Sequence, residues 1–408
     1  MPIIYHIGIK IYYFFILVVS LFNTKAKHWI KGRRDWRDLF PEISDNPKIW
    51  FHFASLGEFE QGKPLLQAAR KQIPDKKIII TFFSPSGYEI RKNSALGDYI
   101  LYLPIDSPRN AQDFIRIFNP ELAIFNKYEY WYFFYRSLNQ HEIPIYITSS
   151  IFRENQIFFK WYGSFNRKIL SYVTHFFVQN KKSGELLESI GLKNFTLSGD
   201  TRFDSVLDLA KNKKEFPIIQ KFKGDKKLII AGSTWPEDEK LLANYHFNDD
   251  WKLIIAPHEI SESKILDLER LFENKSLRYS KLNEKFEFKS DVKVILIDNI
   301  GMLSSLYNYG EIAYIGGGFG AGIHNTLEAA AWGLPVIFGA NYQKFQEAKD
   351  LIKLTGGFTI SNQTDLNTIL DKLIHHPETR ISAGKIASDY VAKNTGATEI
   401  IMDAIFKI

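Results

Sequence analysis

The chain has 408 residues, 45% hydrophobic and 24% charged, which is enough apolar content for packed cores and too much for wholesale disorder. It contains no cysteine, which excludes disulfide scaffolds, thiolate metal sites and cysteine nucleophiles. The net charge of +6 is confined to one end. Residues 1–37 carry seven basic residues and one acid, and the other 371 are balanced at 45 of each sign, so no nucleic-acid-binding face is expected on the body.

The amino-terminal arm comes first. Ile3–Phe22 is almost wholly apolar, interrupted by His6 and Lys10, and close to the ~20 residues that cross a bilayer as a helix. Lys25, Lys27, Lys31, Arg33, Arg34 and Arg37 follow, as in a cytoplasmic flank or a contact with anionic headgroups. No small-x-small cleavage pattern follows the apolar run. Residues 1–37 therefore read as a membrane anchor, spanning or interfacial, with the body on the cytoplasmic face of the plasma membrane. A buried first helix of the body is the alternative.

The body reads as two regions of alternating strands and helices, which implies parallel sheets covered on both faces. In the first, short β-rich runs occur at Ile49–Phe53, Lys77–Thr81, Leu122–Phe125 and Ile145–Thr148, with helical stretches at 63–72, 108–118 and 154–170. In the second, the runs are Lys227–Ala231, Lys252–Ala256, Val292–Ile297, Ile312–Ile315 and Val336–Phe338. The polar stretch Asp204–Gly224 reads as a linker and about 384–407 as one amphipathic closing helix. The expected organisation is an anchor at 1–37, one Rossmann-like domain at 38–204, a second at 205–383 facing it across a central cleft, and a terminal helix at 384–408 packing back on the first.

Ligands of open α/β sheets bind where strands end and helices begin. Four such junctions carry a cap residue with Glu three positions on: Ser55–Glu58, Ser86–Glu89, Thr234–Glu237 and Asn325–Glu328. The spacing also serves a capping box, which needs no substrate. The fourth junction follows a glycine-rich loop with Gly316, Gly317, Gly318, Gly320 and Gly322. Glycines there let backbone approach a ligand and supply N–H groups, and a helix start near Asn325 adds partial positive charge, which together suit a phosphate. Glu328, one turn in, is placed to accept from ribose hydroxyls. No Asp-x-Asp occurs and the histidines lack zinc-ligand spacing, so no metal or cofactor is expected.

Several blocks, in order, resemble the 3-deoxy-D-manno-octulosonic acid (Kdo) transferases of lipopolysaccharide assembly: FHFASLGEFEQGKPLL (51–66), TFFSPSGYE (81–89), YLPIDSPRNAQDFIRIFNPELAIFNKYEYW (102–131), LSGDTRFD (197–204), AGSTWPEDE (231–239) and GGGFGAGIHNTLEAAAWGLPVIFG (316–339). The resemblance implies a two-domain glycosyltransferase-B fold, a CMP-Kdo donor, a lipid A precursor as acceptor, inversion at the anomeric carbon and no obligatory metal. It matches Glu58 to the catalytic base, beside Ser55 and Gly57, and Glu129 to a second carboxylate holding acceptor or cleft. It matches Pro257, His258, Ile300, Gly301, Met302, Gly316–Gly318, Asn325 and Glu328 to donor contacts. His258 stands where the family has Arg, and Ser150 where its acceptor segment has Arg. Lys127, Arg153, Lys160 and Arg202 are candidates for acceptor phosphates. Two other readings remain: another sugar-nucleotide transferase or a UDP-sugar 2-epimerase on the same fold, and a non-catalytic membrane-tethered nucleotide-binding protein.

Overall fold

The computed structural model describes residues 1–211, 214–273, 275–289 and 291–406. They form two compact units, Met1–Ser205 with Thr395–Ile408, and Val206–Asn394. Each unit is built on a parallel seven-stranded sheet.

The strands of the first unit are β1 (Lys48–Phe53), β2 (Lys77–Phe82), β3 (Tyr99–Tyr102), β4 (Leu122–Asn126), β5 (Ile145–Ser150), β6 (His175–Val178) and β7 (Phe195–Leu197). Their order is β3-β2-β1-β4-β5-β6-β7. All six residues of β1 are buried, as expected of a central parallel strand covered by helices on both faces. Trp50 and Ile79 face one core with Phe114 and Phe134; Ile49, Phe51 and Phe53 face the other with Phe59 and Leu66. The helix Pro108–Phe118 follows its signals closely: Ser107 caps it, proline opens it, and Asn119 ends it in the left-handed region at φ 43°.

The second unit contains β8 (Lys227–Thr234), β9 (Trp251–Pro257), β10 (Ser276–Arg278), β11 (Val294–Leu296), β12 (Ile312–Ile315), β13 (Val336–Gly339) and β14 (Gly357–Ile360), in the order β10-β11-β9-β8-β12-β13-β14. In both sheets the strand order reverses beside the first strand, at β1/β4 and at β8/β12. Such reversals open a crevice at the carboxyl ends of the strands.

Several expectations change. The stretch 154–170 is a single 3-10 turn at Ile157–Phe159 and a helix at Ser164–Leu170. They are separated at Gly163, which lies against the Ile157 carbonyl with no room for a Cβ. The strand expected at 292–297 shortens to β11. The expected linker 204–224 contains parts of the helices Thr201–Lys211 and Pro217–Lys223; residues 212 and 213 within it lie outside the described residues. The closing helix is two, Pro377–Lys393 and Ala397–Phe406, parted at Gly396 with φ 106°. Asp204 accepts the N–H groups of Gly396 and Thr398, each at 2.7 Å, which caps the second of them. Residues 407 and 408 lie outside the described residues.

The basic cluster also divides. Arg33 is buried, donates to the carbonyls of Trp29, Phe83 and Leu103, and stacks on the Trp29 ring at 3.8 Å. Burial pulls its guanidinium below its ordinary range, yet it stays charged at neutral pH. Arg37 pairs with Asp113 at 2.7 Å. Both belong to the fold, while Lys25, Lys27, Lys31 and Arg34 remain exposed. Replacing Arg33 by Met leaves three buried carbonyls without their donor and is expected to cost on the order of 3 kcal/mol. A urea midpoint unchanged from the parent protein would contradict that role.

Candidate functional site

In the first unit the polar side chains gather at the carboxyl ends of β1, β4 and β5. β1 runs through Ala54 into Ser55, and the helix Leu56–Gln72 begins there. Ser55 does not cap this helix; its hydroxyl donates to the Glu58 carboxylate. The Glu58 backbone carbonyl accepts from Asn126 Nδ2 at 2.9 Å, which fixes the first helical turn against the end of β4. The carboxylate is thus placed by the sheet. Gly57 is exposed beside it.

The same test separates the other junctions. Ser84, not Ser86, caps its helix, and Glu89 pairs with Lys92 and accepts from Tyr102. Trp235 occupies the cap position after β8, and Asp238, not Glu237, accepts its backbone N–H at 2.9 Å. The fourth helix is only Leu327–Ala331; Thr326 in its cap position makes no capping bond, while Asn325 Oδ1 accepts the Leu327 N–H at 3.0 Å and Asn325 Nδ2 reaches Glu328 at 3.1 Å.

Glu129 lies at the end of β4, only 13% exposed, and accepts from His52 Nε2 at 3.0 Å and Trp131 Nε1 at 2.9 Å. His52 Nδ1 contacts the Thr81 hydroxyl at 2.8 Å, which also accepts from Trp50 Nε1 at 2.7 Å. This buried relay ties the ends of β1, β2 and β4 together, so Glu129 positions the strand ends. Sequence reasoning did not find His52, because a lone histidine inside an apolar strand carries no signal of its partner.

Three non-glycine residues at strand ends adopt left-handed backbone: Lys127 (φ 62°), Ser149 (φ 52°) and Ser233 (φ 54°). Such strain gathers at functional sites. Asp200, buried, accepts from Gln61 Nε2 at 2.6 Å and from the Arg202 backbone N–H and Nε at 2.9 and 2.8 Å. Burial alone would raise this carboxyl, but Arg202, with help from Lys127, holds it below the ordinary range. The Arg202 charge is therefore engaged inside the protein. Arg153 is exposed, with its guanidinium 5.8 Å from the Tyr128 ring centre. Burial raises the Tyr128 phenol; Arg153 opposes this, and Glu58 and Arg202 are also within electrostatic reach. Tyr128, next to Arg153 and within electrostatic reach of Glu58, was not among the expected residues. Lys160 lies after the 3-10 turn.

In the second unit the glycine loop serves closeness more than free donors. The N–H of Gly316 donates to Gly232, those of Gly320 and Gly322 to the Gly317 carbonyl, and that of Gly317 to Asp238 at 2.9 Å. The expected set of unoccupied N–H groups is thus largely spent inside the fold. Gly318 lies directly against Gly339, where a side chain would collide. Asp238 accepts from Gly317, Trp235 and the Tyr314 hydroxyl, the last at 2.7 Å, and so sutures the β8 and β12 loops. Burial raises its pKa, against these hydrogen bonds.

Pro257 ends β9. His258 follows, exposed and stacked against both Trp235 (4.7 Å) and His324 (4.6 Å). Trp235 Nε1–H donates to His324 Nε2 at 3.1 Å, so that nitrogen must be unprotonated. The Trp235–His324 pair opens on a cavity of about 250 Å³ shared with Gly317 and Phe319. Trp235 and His324 were not among the expected site residues, although both lie in the quoted blocks. Ile300 projects into solvent at 89% exposure, Gly301 has φ 91°, and Met302 is buried. Among the described residues no three His, Asp or Glu side chains gather closely enough to hold a metal ion.

Two doubly wound parallel sheets with polar residues concentrated at their switch points are the architecture of the glycosyltransferase-B type of fold, which several chemistries share. Among solved structures, the UDP-GlcNAc 2-epimerase of Neisseria meningitidis shares this fold, with a TM-score of 0.62 over 88% of this chain and 100% of that one at 18% identity. Residues 31–205 match the family model of 3-deoxy-D-manno-octulosonic-acid transferase (kdotransferase). The chain is 28% identical to the 3-deoxy-D-manno-octulosonic acid transferase of Aquifex aeolicus over 338 residues, covering 80% of this chain and 86% of that protein. It is 25% identical to that of Haemophilus influenzae, covering 95% and 93%. The chain is thus similar to the Kdo transferases, by family model over residues 31–205 and by these relatives along most of its length.

His324 offers a direct check of the second site. Burial and then the neighbouring His258 lower its pKa, so the neutral ring and its bond from Trp235 are fully present at pH 7 and are lost as pH falls. The His324 C2 proton, assigned with His324→Gln, is expected to titrate below the ordinary 6.5. A midpoint at or above 6.5 would contradict the arrangement.

Proposed function

We propose that this protein transfers Kdo from CMP-Kdo to a lipid A precursor at the cytoplasmic face of the plasma membrane, with inversion and with Glu58 as general base. The observation that carries the reading is the Glu58 carboxylate at the switch point of the first sheet, bonded by the Ser55 hydroxyl while Asn126 fixes the Glu58 backbone carbonyl, and not consumed as a helix cap. Similarity to the Kdo transferases supports the donor and acceptor classes.

A sugar hydroxyl is a weak nucleophile until a base takes its proton. Glu58 accepts that proton as the acceptor oxygen bonds to the anomeric carbon, and the bond from that carbon to the CMP phosphate oxygen breaks with its electron pair. CMP leaves as a stable anion and needs neutralisation more than protonation. Glu58 lies in the first turn of its helix, where the partial positive charge of the helix start faces its carboxylate. Arg153, exposed beside Tyr128, is the best-placed basic group for an acceptor phosphate, with Lys127 and Lys160 as further candidates. Arg202, bound to Asp200, supports the site from within.

The donor falls to the second unit, at Pro257, His258, Ile300, Gly301, Met302, Gly316–Gly318, Asn325 and Glu328. His258 replaces a bidentate fork by a ring stacked on Trp235, which shifts recognition toward stacking and shape. The reaction as written uses no metal or cofactor. The exposed apolar residues of the arm bring the protein to the membrane that holds the acceptor.

Glu58→Gln keeps the acceptor of the Ser55 hydroxyl but not the base. Transfer is expected to fall by about 10²–10⁴-fold with an unchanged thermal midpoint; near-parental turnover would remove Glu58 from this role. CMP is expected to raise the midpoint more than UDP does. A clear preference for UDP would favour the epimerase or another nucleotide-sugar enzyme instead.

A further inference from the structure

The helix Pro2–Val19 is long and apolar enough to cross a membrane, with mean hydropathy 1.8 and none of its residues buried. Its contacts say otherwise. Near its start the Tyr5 hydroxyl donates to the buried Asp106 at 2.7 Å, and its ring packs on Tyr132, Phe133 and Phe165. Two turns later Tyr12 lies against Phe83 and Trp29, and Tyr13 against Trp29. These contacts span about 12 Å at 1.5 Å per residue. The helix is laid along the surface of the first unit instead of projecting from it. Crossing a bilayer would carry that surface, with it, into hydrocarbon.

At 100° per residue the two faces separate cleanly. Tyr5, Ile9, Tyr13 and Ile16 are half-covered by the unit. The opposite stripe of Ile3, Ile4, Ile7, Ile11, Phe14 and Val18 is exposed and wholly apolar. Lys10 is exposed at the flank of this stripe, where a lysine reaches headgroups without entering the acyl region. Lys25, Lys27, Lys31 and Arg34 continue the exposed positive charge beyond Leu21 and Phe22, themselves exposed. A second point adjoins the helix start. Phe165, which touches Tyr5, belongs to the helix preceded by Trp161 and Tyr162, and Trp161 is 90% exposed. An exposed Trp–Tyr pair has the chemistry of a membrane interface.

We infer that the first unit binds the surface of an anionic phospholipid bilayer in one leaflet only, with helix Pro2–Val19 lying in the interface plane and Trp161–Tyr162 as a second insertion point. This rests on the membrane contact proposed above and makes it monotopic. A basic rim around an apolar stripe suits anionic lipid better than a second copy of the same charge.

The cysteine-free chain lets single cysteines be placed without other changes. The full protein carrying Pro2→Cys, Lys10→Cys or Lys25→Cys is inserted into sealed phosphatidylglycerol/phosphatidylethanolamine vesicles with the body outside. An impermeant maleimide is then added outside. All three are expected to react, and Trp161→Ser to weaken vesicle binding about tenfold, the scale of one buried aromatic ring. Labelling of Lys25→Cys alone, with Pro2→Cys reached only from the lumen, would mean a spanning helix. That would overturn the inference while leaving membrane contact intact. Unweakened binding by Trp161→Ser would overturn the second point. No vesicle binding, with elution as a dimer, would overturn both the inference and the membrane contact beneath it.

Discussion

The structure depends on one constraint: both faces of each parallel sheet are covered, so polar chemistry is pushed to the ends of the strands. β1 and β8 run almost entirely through apolar surroundings, and their buried backbone is satisfied only by neighbouring strands. The strand order reverses beside these same two strands. The helices that follow therefore leave in a direction that opens the carboxyl ends, and Glu58 and Asp238 stand there as a consequence.

Each unit closes its own set of loops with a buried carboxylate. Asp200 gathers Gln61 and Arg202 in the first, and Asp238 gathers Trp235, Tyr314 and Gly317 in the second. A buried carboxylate is costly unless its oxygens are filled with donors, so these loops have few alternative arrangements. The Glu129–His52–Thr81–Trp50 relay does the same beneath the first site. Rigid strand ends are what the proposed general base needs, because misplacement by an ångström costs rate.

The alternation of strands and helices, the long central strands and the Ser55 and glycine-loop junctions were legible in the sequence because each is a local pattern of period, cap or turn. The short strands Phe195–Leu197 and Ser276–Arg278 were not, since three residues at a sheet edge have no period to read. His175–Val178 was missed although it lies between two strands, because its apolar run is no longer than a loop's. The role of Arg33 was misread as a headgroup contact, since burial against Trp29 and three carbonyls depends on residues up to 70 positions away. Asp238 could have been found by counting three from Trp235 as the cap. Tyr128, and the stack of Trp235, His258 and His324, join elements that only the tertiary fold brings together.

The central claim is transfer of Kdo to a lipid A precursor, and the product itself tests it most directly. Purified protein would be incubated with CMP-Kdo and a tetraacylated lipid A precursor in mixed micelles, and the lipid and nucleotide analysed by mass spectrometry. The account predicts a lipid heavier by one or more whole Kdo units, with one CMP released for each. An unmodified lipid from folded, CMP-binding protein would contradict it.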